Sequence, residues 1–305
     1  MSSPTTLSLH SATASLGPVG LVLAAAMLWG TTGTAQHFAP AQLSPYWVGG
    51  LRMMMAALFF IALALVMDKG HRSSPLHWGR LVFCGLCMAL YNLSFFAGIK
   101  ASGVALGTAL AIGSGPFWAG LMQAVVQKRM PSPQWWLGTC IGVGGGIVMA
   151  LATADRQHLP WVGMALCLLA GLSYAAYALV NQALVMQARV ATVNAWVFGC
   201  AALLSLPFAS WLGGPLQIST SGWAVVIYLG IVATGVAYLL FSVGLRGMSA
   251  ATGVALSKAE PITAFALSLL IVGERPAWWS VFGLLGVIGG LWLVVQAERK
   301  SAEAV

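Results

Sequence analysis

Charge is what this sequence has least of. Lys, Arg, Asp and Glu make up 7% of its 305 residues while 59% are hydrophobic, against about 25% charged in a typical soluble domain. An ordinary soluble fold is excluded. Acid is scarcer than base, 6 Asp+Glu against 14 Lys+Arg, for a net charge of +8. In a soluble chain that excess would point to nucleic acid, but these cations fall mostly between long apolar runs, where membrane proteins keep them. No nucleic-acid partner is expected. Cysteine is sparse: Cys84, Cys87, Cys140, Cys167 and Cys200 all lie inside apolar runs, as small packing residues rather than a disulfide framework or metal site. Neither H-E-x-x-H nor G-x-S-x-G occurs, and His10, His37, His71, His77 and His158 sit at ends or between runs. The glycine-rich "GVGGG" at 142–146 lies within an apolar run without the strand-to-helix context of a nucleotide loop. An enzyme is therefore not expected, nor a cofactor or metal.

Long apolar runs are abundant. Crossing about 30 Å of hydrocarbon takes roughly 20 residues, and ten runs qualify: 17–37, 45–66, 78–99, 104–126, 133–152, 161–183, 191–212, 222–245, 250–271 and 277–296. The fold class is an all-α polytopic membrane protein of ten transmembrane helices. The first run is too long for the apolar core of a cleaved signal peptide, lacks a basic flank and is read as retained. With ten spans both termini share a side. Placing them in the cytoplasm puts Lys69, Arg72, Arg80, Lys128, Arg129, Arg189, Arg246, Arg299 and Lys300 inside and Lys100, Arg156 and Arg275 outside, as basic cytoplasmic loops require. Residues 1–16 and 297–305 are then cytoplasmic tails.

The chain repeats itself at an offset near 145 residues, the distance from Pro116 to Pro261. Phe95-Phe96-Ala97-Gly98-Ile99-Lys100 matches Phe241-Ser242-Val243-Gly244-Leu245-Arg246, and "GVAL" at 103–106 recurs at 253–256. Trp135-Trp136 answers Trp278-Trp279, and "GVGGG" answers "GVIGG" at 286–290. Five spans per half is an odd number, so the halves, 17–152 and 161–296, form two inverted five-helix repeats (5+5). Secondary transporters with a substrate site near the midplane are built this way.

This order of motifs resembles the drug/metabolite transporter superfamily in its ten-helix branch with two EamA-type halves. The resemblance covers nearly all of residues 17–296 and is carried by Leu28-Trp29-Gly30, the proline-centred spans four and nine, "GERP" at 273–276, and the glycine-rich spans five and ten. Across the whole chain the sequence looks most like the YddG-type aromatic amino acid exporters. That resemblance implies a bacterial inner-membrane exporter of aromatic and other neutral amino acids, working by alternating access through a central cavity lined by both halves. Its partners are then the lipid bilayer and a small-molecule substrate. A monomer is expected, with a dimer as the alternative.

Span nine carries Lys258, Glu260 and Pro261 in its middle. A charge at a helix centre costs about 2.5–3.5 kcal/mol on insertion scales, so both charged residues should face the bundle interior. Their i, i+2 spacing separates them by about 200° on a regular helix, and Pro261 frees the carbonyl of Ser257. Either Lys258 meets a substrate carboxylate and Glu260 exchanges a proton, or the two stabilise a break. Gly113-Ser114-Gly115-Pro116 reads as a matching uncharged break in span four, with Ser114 and Pro116 opening backbone toward a cavity. Asn92, Tyr174 and Tyr238 lie at central depth as cavity candidates, with helix-to-helix hydrogen bonding the alternative. Trp29 and Trp118 sit inside spans and either stack on a ligand or pack helices. Eight more tryptophans, Trp47, Trp78, Trp135, Trp136, Trp161, Trp223, Trp278 and Trp279, lie near span ends and read as interface belts. Arg52, about 10 Å from the outer end of span two at 1.5 Å per residue, is read as a snorkelling anchor in preference to an outer-gate residue. Gly142/Gly146 and Gly286/Gly290 have GxxxG spacing, for close contact between spans five and ten or for a dimer interface.

Export of cationic drugs or other small metabolites, driven by protons or not, is the alternative function, favoured by an acid free to face a cation. A passive channel or scaffold is the rival class.

Overall fold

The computed structural model describes residues 17–40, 42–67, 77–102, 104–151, 161–273 and 278–303. The tail 1–16, the loop cations Lys69, Arg72, Arg156 and Arg275, and His10, His71 and His158 lie outside them. The described residues form ten helical spans: α1 (Pro18–His37), α2 (Pro45–Met67), α3 (Trp78–Ser102), α4 (Val104–Val126), α5 (Pro133–Leu151), α6 (Trp161–Gln187), α7 (Val190–Gly213), α8 (Thr220–Gly247), α9 (Ala250–Val272) and α10 (Trp278–Glu303). Nine of the described helices meet the length and hydropathy of a membrane crossing. The remaining one, α5, has 19 residues, about 28 Å at 1.5 Å per residue. The chain is a polytopic membrane protein.

Local chemistry sets the ends. Pro18 opens α1 at a position whose N–H has no intrahelical partner anyway. Ser249 caps α9 by accepting from the Thr252 amide at 3.2 Å, and Ser219 does the same for Gly222 in α8. Gly273 ends α9 in the left-handed region, φ 75°, which a residue without Cβ adopts freely.

The polarity is that of a protein in lipid. Asn92, Asn181, Asn194, Thr252 and Lys258 are buried, while Leu203, Val125, Trp211 and Trp292 are exposed. With hydrocarbon outside, the interior is where polar groups find partners. Asn181 and Asn194, from α6 and α7, both donate to the Ser242 hydroxyl of α8, at 3.1 and 3.2 Å.

Helix pairing follows a two-fold exchange. If α1–α5 are renumbered as α6–α10 and the reverse, the α3–α6 contact becomes α8–α1, α4–α6 becomes α9–α1, and α4–α5 becomes α9–α10; all are present. The α2–α7, α4–α9 and α5–α10 contacts map onto themselves. Five helices per half and this pairing make the two repeats inverted.

Two expectations about helix geometry are corrected. Span four is not broken: α4 runs through Pro116 without interruption, and its small residues serve packing. Gly115 lies 3.5 Å from Val254 by its Cβ direction, and the Ser114 hydroxyl lies against Gly171 while donating to the Ala111 carbonyl at 3.4 Å. The irregularities fall instead in the second half. Tyr228–Val236 of α8 is a π-helical stretch, with the Thr234 hydroxyl donating to the Leu229 carbonyl five residues back at 2.7 Å. In α9, Ser257–Ala259 tightens to a 3-10 turn.

The second correction concerns the glycine seam. α5 and α10 do meet within one chain, through Gly142 and Gly290, Gly145 and Gly286, and Gly145 and Gly283. Gly146 takes no part, since a Cβ there would meet nothing within 4 Å. A strict four-residue spacing on α5 does not stay on the contact face; the stripe is Gly138, Gly142 and Gly145. Trp135, read as a belt residue, is also buried, against Gly120 of α4.

Candidate substrate site

Within the bundle, α1, α2, α3, α4, α6, α8 and α9 enclose a cavity of about 80 Å³. Six aromatic rings form its apolar wall: Trp29, Tyr91, Phe95, Phe96, Tyr174 and Tyr238. They are mutually packed, with Trp29 5.0 Å from Tyr238 and Tyr91 5.5 Å from Tyr174 between centroids. Its charged wall is Arg52 from α2 with Lys258 and Glu260 from α9.

The 3-10 turn explains how Lys258 and Glu260 share a site. On a regular α-helix, residues i and i+2 point about 160° apart by the shorter arc; at 3.0 residues per turn the angle narrows to about 120°. Both face the interior as their cost in lipid requires, lining the central cavity and also a second, more apolar cavity of about 390 Å³ bounded by α4, α5, α9 and α10. Ile112, Lys258 and Glu260 belong to both cavities and form the partition between them. Glu260 lies within electrostatic reach of Lys258 and of Arg52.

Of the residues singled out from sequence, Trp29, Tyr174, Tyr238, Lys258 and Glu260 come together around the central cavity. Pro261 lines the second cavity, and Pro116 a small void between α4, α5, α9 and α10. Asn92 stands behind the site, accepting from the Arg52 guanidinium at 3.4 Å. Trp118 packs against the core and Ser114 against Gly171, and neither lines these cavities. Arg52 was misread: its guanidinium turns inward, 5.8 Å from the centroid of Phe96. Thr32, Gln36 and Thr234 were missed altogether, being small or neutral residues with no periodic signal.

At the end of the bundle where α9 begins, the helices of the second half are fastened to one another. Glu298 of α10 accepts from the Ser249 amide at 2.9 Å and from the Thr252 hydroxyl at 2.5 Å. Gln182 donates to the carbonyls of Leu245 and Met248, and Arg246 donates to those of Val185 and Ala188 at the end of α6. The same side chains border a vestibule of about 730 Å³, closed on its other side by Gln123 of α4 and Trp135 of α5.

Ten helices in two related halves, with a charged and aromatic cavity between them, are the architecture of a membrane transporter of small solutes. Residues 17–151 and 161–296 each match the EamA-like transporter family, and the chain belongs to that family, within the drug/metabolite transporter superfamily. It is 33% identical over 288 residues to the uncharacterized transporter YwfM of Bacillus subtilis, covering 93% of this chain and 95% of that one. It is 24% identical to a biotin transporter of Salmonella typhimurium over 84% of this chain and 86% of that one. A solved crystal structure aligns with TM-score 0.80 over 93% of this chain and 98% of that chain, at 20% identity, a likeness of fold. The family and these relatives are transporters rather than enzymes.

Proposed function

We propose that this protein exports amino acids with aromatic and other apolar side chains across a bacterial inner membrane, in the manner of the YddG-type exporters. The observation that carries this reading is one cavity combining six aromatic rings with two cations and a carboxylate. A zwitterion with a flat apolar side chain matches both walls. The repeats, residues 17–152 and 161–296, rock against each other as a monomer. With both termini cytoplasmic, the end of the bundle where α9 begins is the inner one.

Cationic drugs fit less well, because the site holds two cations against one carboxylate. Biotin, named for the Salmonella relative, is itself a monocarboxylate, on an alkyl chain ending in a ureido-fused thioether ring, and is the competitor to include.

The test is efflux of radiolabelled phenylalanine from proteoliposomes containing the purified protein, with and without a pH gradient. Wild type should give specific flux competed by other neutral amino acids. Lys258→Ala and Glu260→Gln should each lower it at least about tenfold, since each leaves a buried charge without its partner. Absence of phenylalanine flux from folded protein, with biotin flux in its place, would overturn the amino acid assignment.

A further inference from the structure

We propose that Arg52 is the residue that binds a substrate carboxylate, and that the site selects apolar or aromatic monocarboxylates by it, with Lys258 and Glu260 neutralising one another. This deepens the preceding reading of the same cavity, in which the sequence pointed to Lys258 for the carboxylate.

The direct contacts of Arg52 are neutral groups, while Glu260 acts on it from a longer range. One guanidinium N–H donates to the Asn92 amide oxygen at 3.4 Å, the Tyr91 phenol stands beside it, and the Phe96 ring lies 5.8 Å away. Nε is buried without a hydrogen-bond partner among the described residues. A guanidinium has five donors in a rigid fork, and here the residue lines the cavity with its Nε donor unpartnered. Lys258 differs. It shares α9 with Glu260, two residues away, and both stand in the partition between the two cavities. Glu260 interacts with Lys258 more strongly than with Arg52, so the single positive charge left over in the site falls chiefly on the Arg52 side.

An unpaired guanidinium within a bilayer is costly, and a ligand carboxylate is the group whose two oxygens match its fork. The rings of Phe95 and Phe96, on the same turn of α3 that faces Arg52, then meet the carbon skeleton attached to that carboxylate. The ammonium of an amino acid is accommodated by Glu260 but is not what the site requires, so a simple aryl alkanoate qualifies as a ligand.

Binding to the purified detergent-solubilised protein tests this without relying on transport. The probes are 3-phenylpropanoate, its amide and phenethylamine, read by quenching of tryptophan fluorescence with thermal unfolding as control. Wild type should bind the acid at least about tenfold more tightly than the amide and should not bind the amine measurably, about tenfold being the scale of one charge-assisted hydrogen bond. Arg52→Gln should lose the preference for acid over amide, whereas a merely structural role for Arg52 would weaken both probes alike. Arg52→Lys, which keeps the charge but not the fork, should retain part of the preference. Undiminished acid preference in Arg52→Gln, or no binding of the acid to folded wild type, overturns the proposal. The two readings fail separately: acid binding that depends on Arg52 without phenylalanine flux removes the amino acid assignment alone, and phenylalanine flux indifferent to Arg52 removes the anchor alone.

Discussion

Trp29 shows how a single side chain is used twice in this protein. Its ring packs on Tyr238 and Phe241 at 5.0 and 5.3 Å and edge-on to Tyr174 at 6.2 Å, while also lining the cavity. Ring-to-ring contact of this kind adds about 0.5–1.5 kcal/mol beyond burial, so Trp29→Leu should lower the preference for phenylalanine over leucine by about two- to tenfold. Competition assays with the two amino acids measure that ratio directly, and an equal loss for both would assign Trp29 to packing alone. Depth along a span was legible for such residues; direction was not. Arg52 was placed correctly at one end of α2 but turned outward, because a helix that is apolar all round carries no stripe to say which face meets its neighbours. Lys258 and Glu260 were oriented correctly because their cost in lipid leaves a single acceptable side.

At the scale of the element, the contrast between α4 and α9 shows what a proline can and cannot report. Pro116 and Pro261 occupy equivalent places, yet α4 continues through Pro116 while α9 tightens just before Pro261. Small neighbours let α4 pack closely on α6, whereas α9 turns two charged side chains toward one site. The repeat was legible in sequence and its asymmetry was not, since it depends on contacts from other helices. The seam between α5 and α10 carries a sharper prediction. A Cβ on Gly290 would collide with the backbone of Gly142, while one on Gly146 would meet open space. Gly290→Ala should therefore lower thermal stability by several degrees and Gly146→Ala should leave it unchanged, both checked by unfolding in detergent. Backbone cannot yield as a flexible side chain would, and overpacking of this kind costs about 1–3 kcal/mol.

For the whole molecule, function requires that both ends of the pathway open in turn. The seal at the α9 end joins α9 to α10 inside the second half, with Glu298 against Ser249 and Thr252. A disulfide between Glu298→Cys and Thr252→Cys, in a background without the native cysteines, should therefore leave flux unchanged, since halves that rock as units do not part there. Flux lost on cross-linking and restored by reduction would mean that the second half itself deforms during transport. The ten spans and the two halves were legible because length and hydropathy follow directly from bilayer thickness. The seal was not, because Glu298 lies past the last apolar run and its partners are forty-six to forty-nine positions away in the chain.

The glycine seam bears on how such a chain could have arisen. α5 and α10 hold equivalent places in their halves and meet each other, so the pseudo-two-fold axis passes between them. Contact between equivalent surfaces is isologous, the kind that joins identical subunits. A separate five-helix ancestor, inserted in both orientations, would have met its own copy through the stripe now written as Gly138, Gly142 and Gly145 on one side and Gly283, Gly286 and Gly290 on the other. Duplication and fusion of its gene would make that dimer permanent and free the halves to diverge, one bringing Arg52 to the site and the other Lys258 and Glu260.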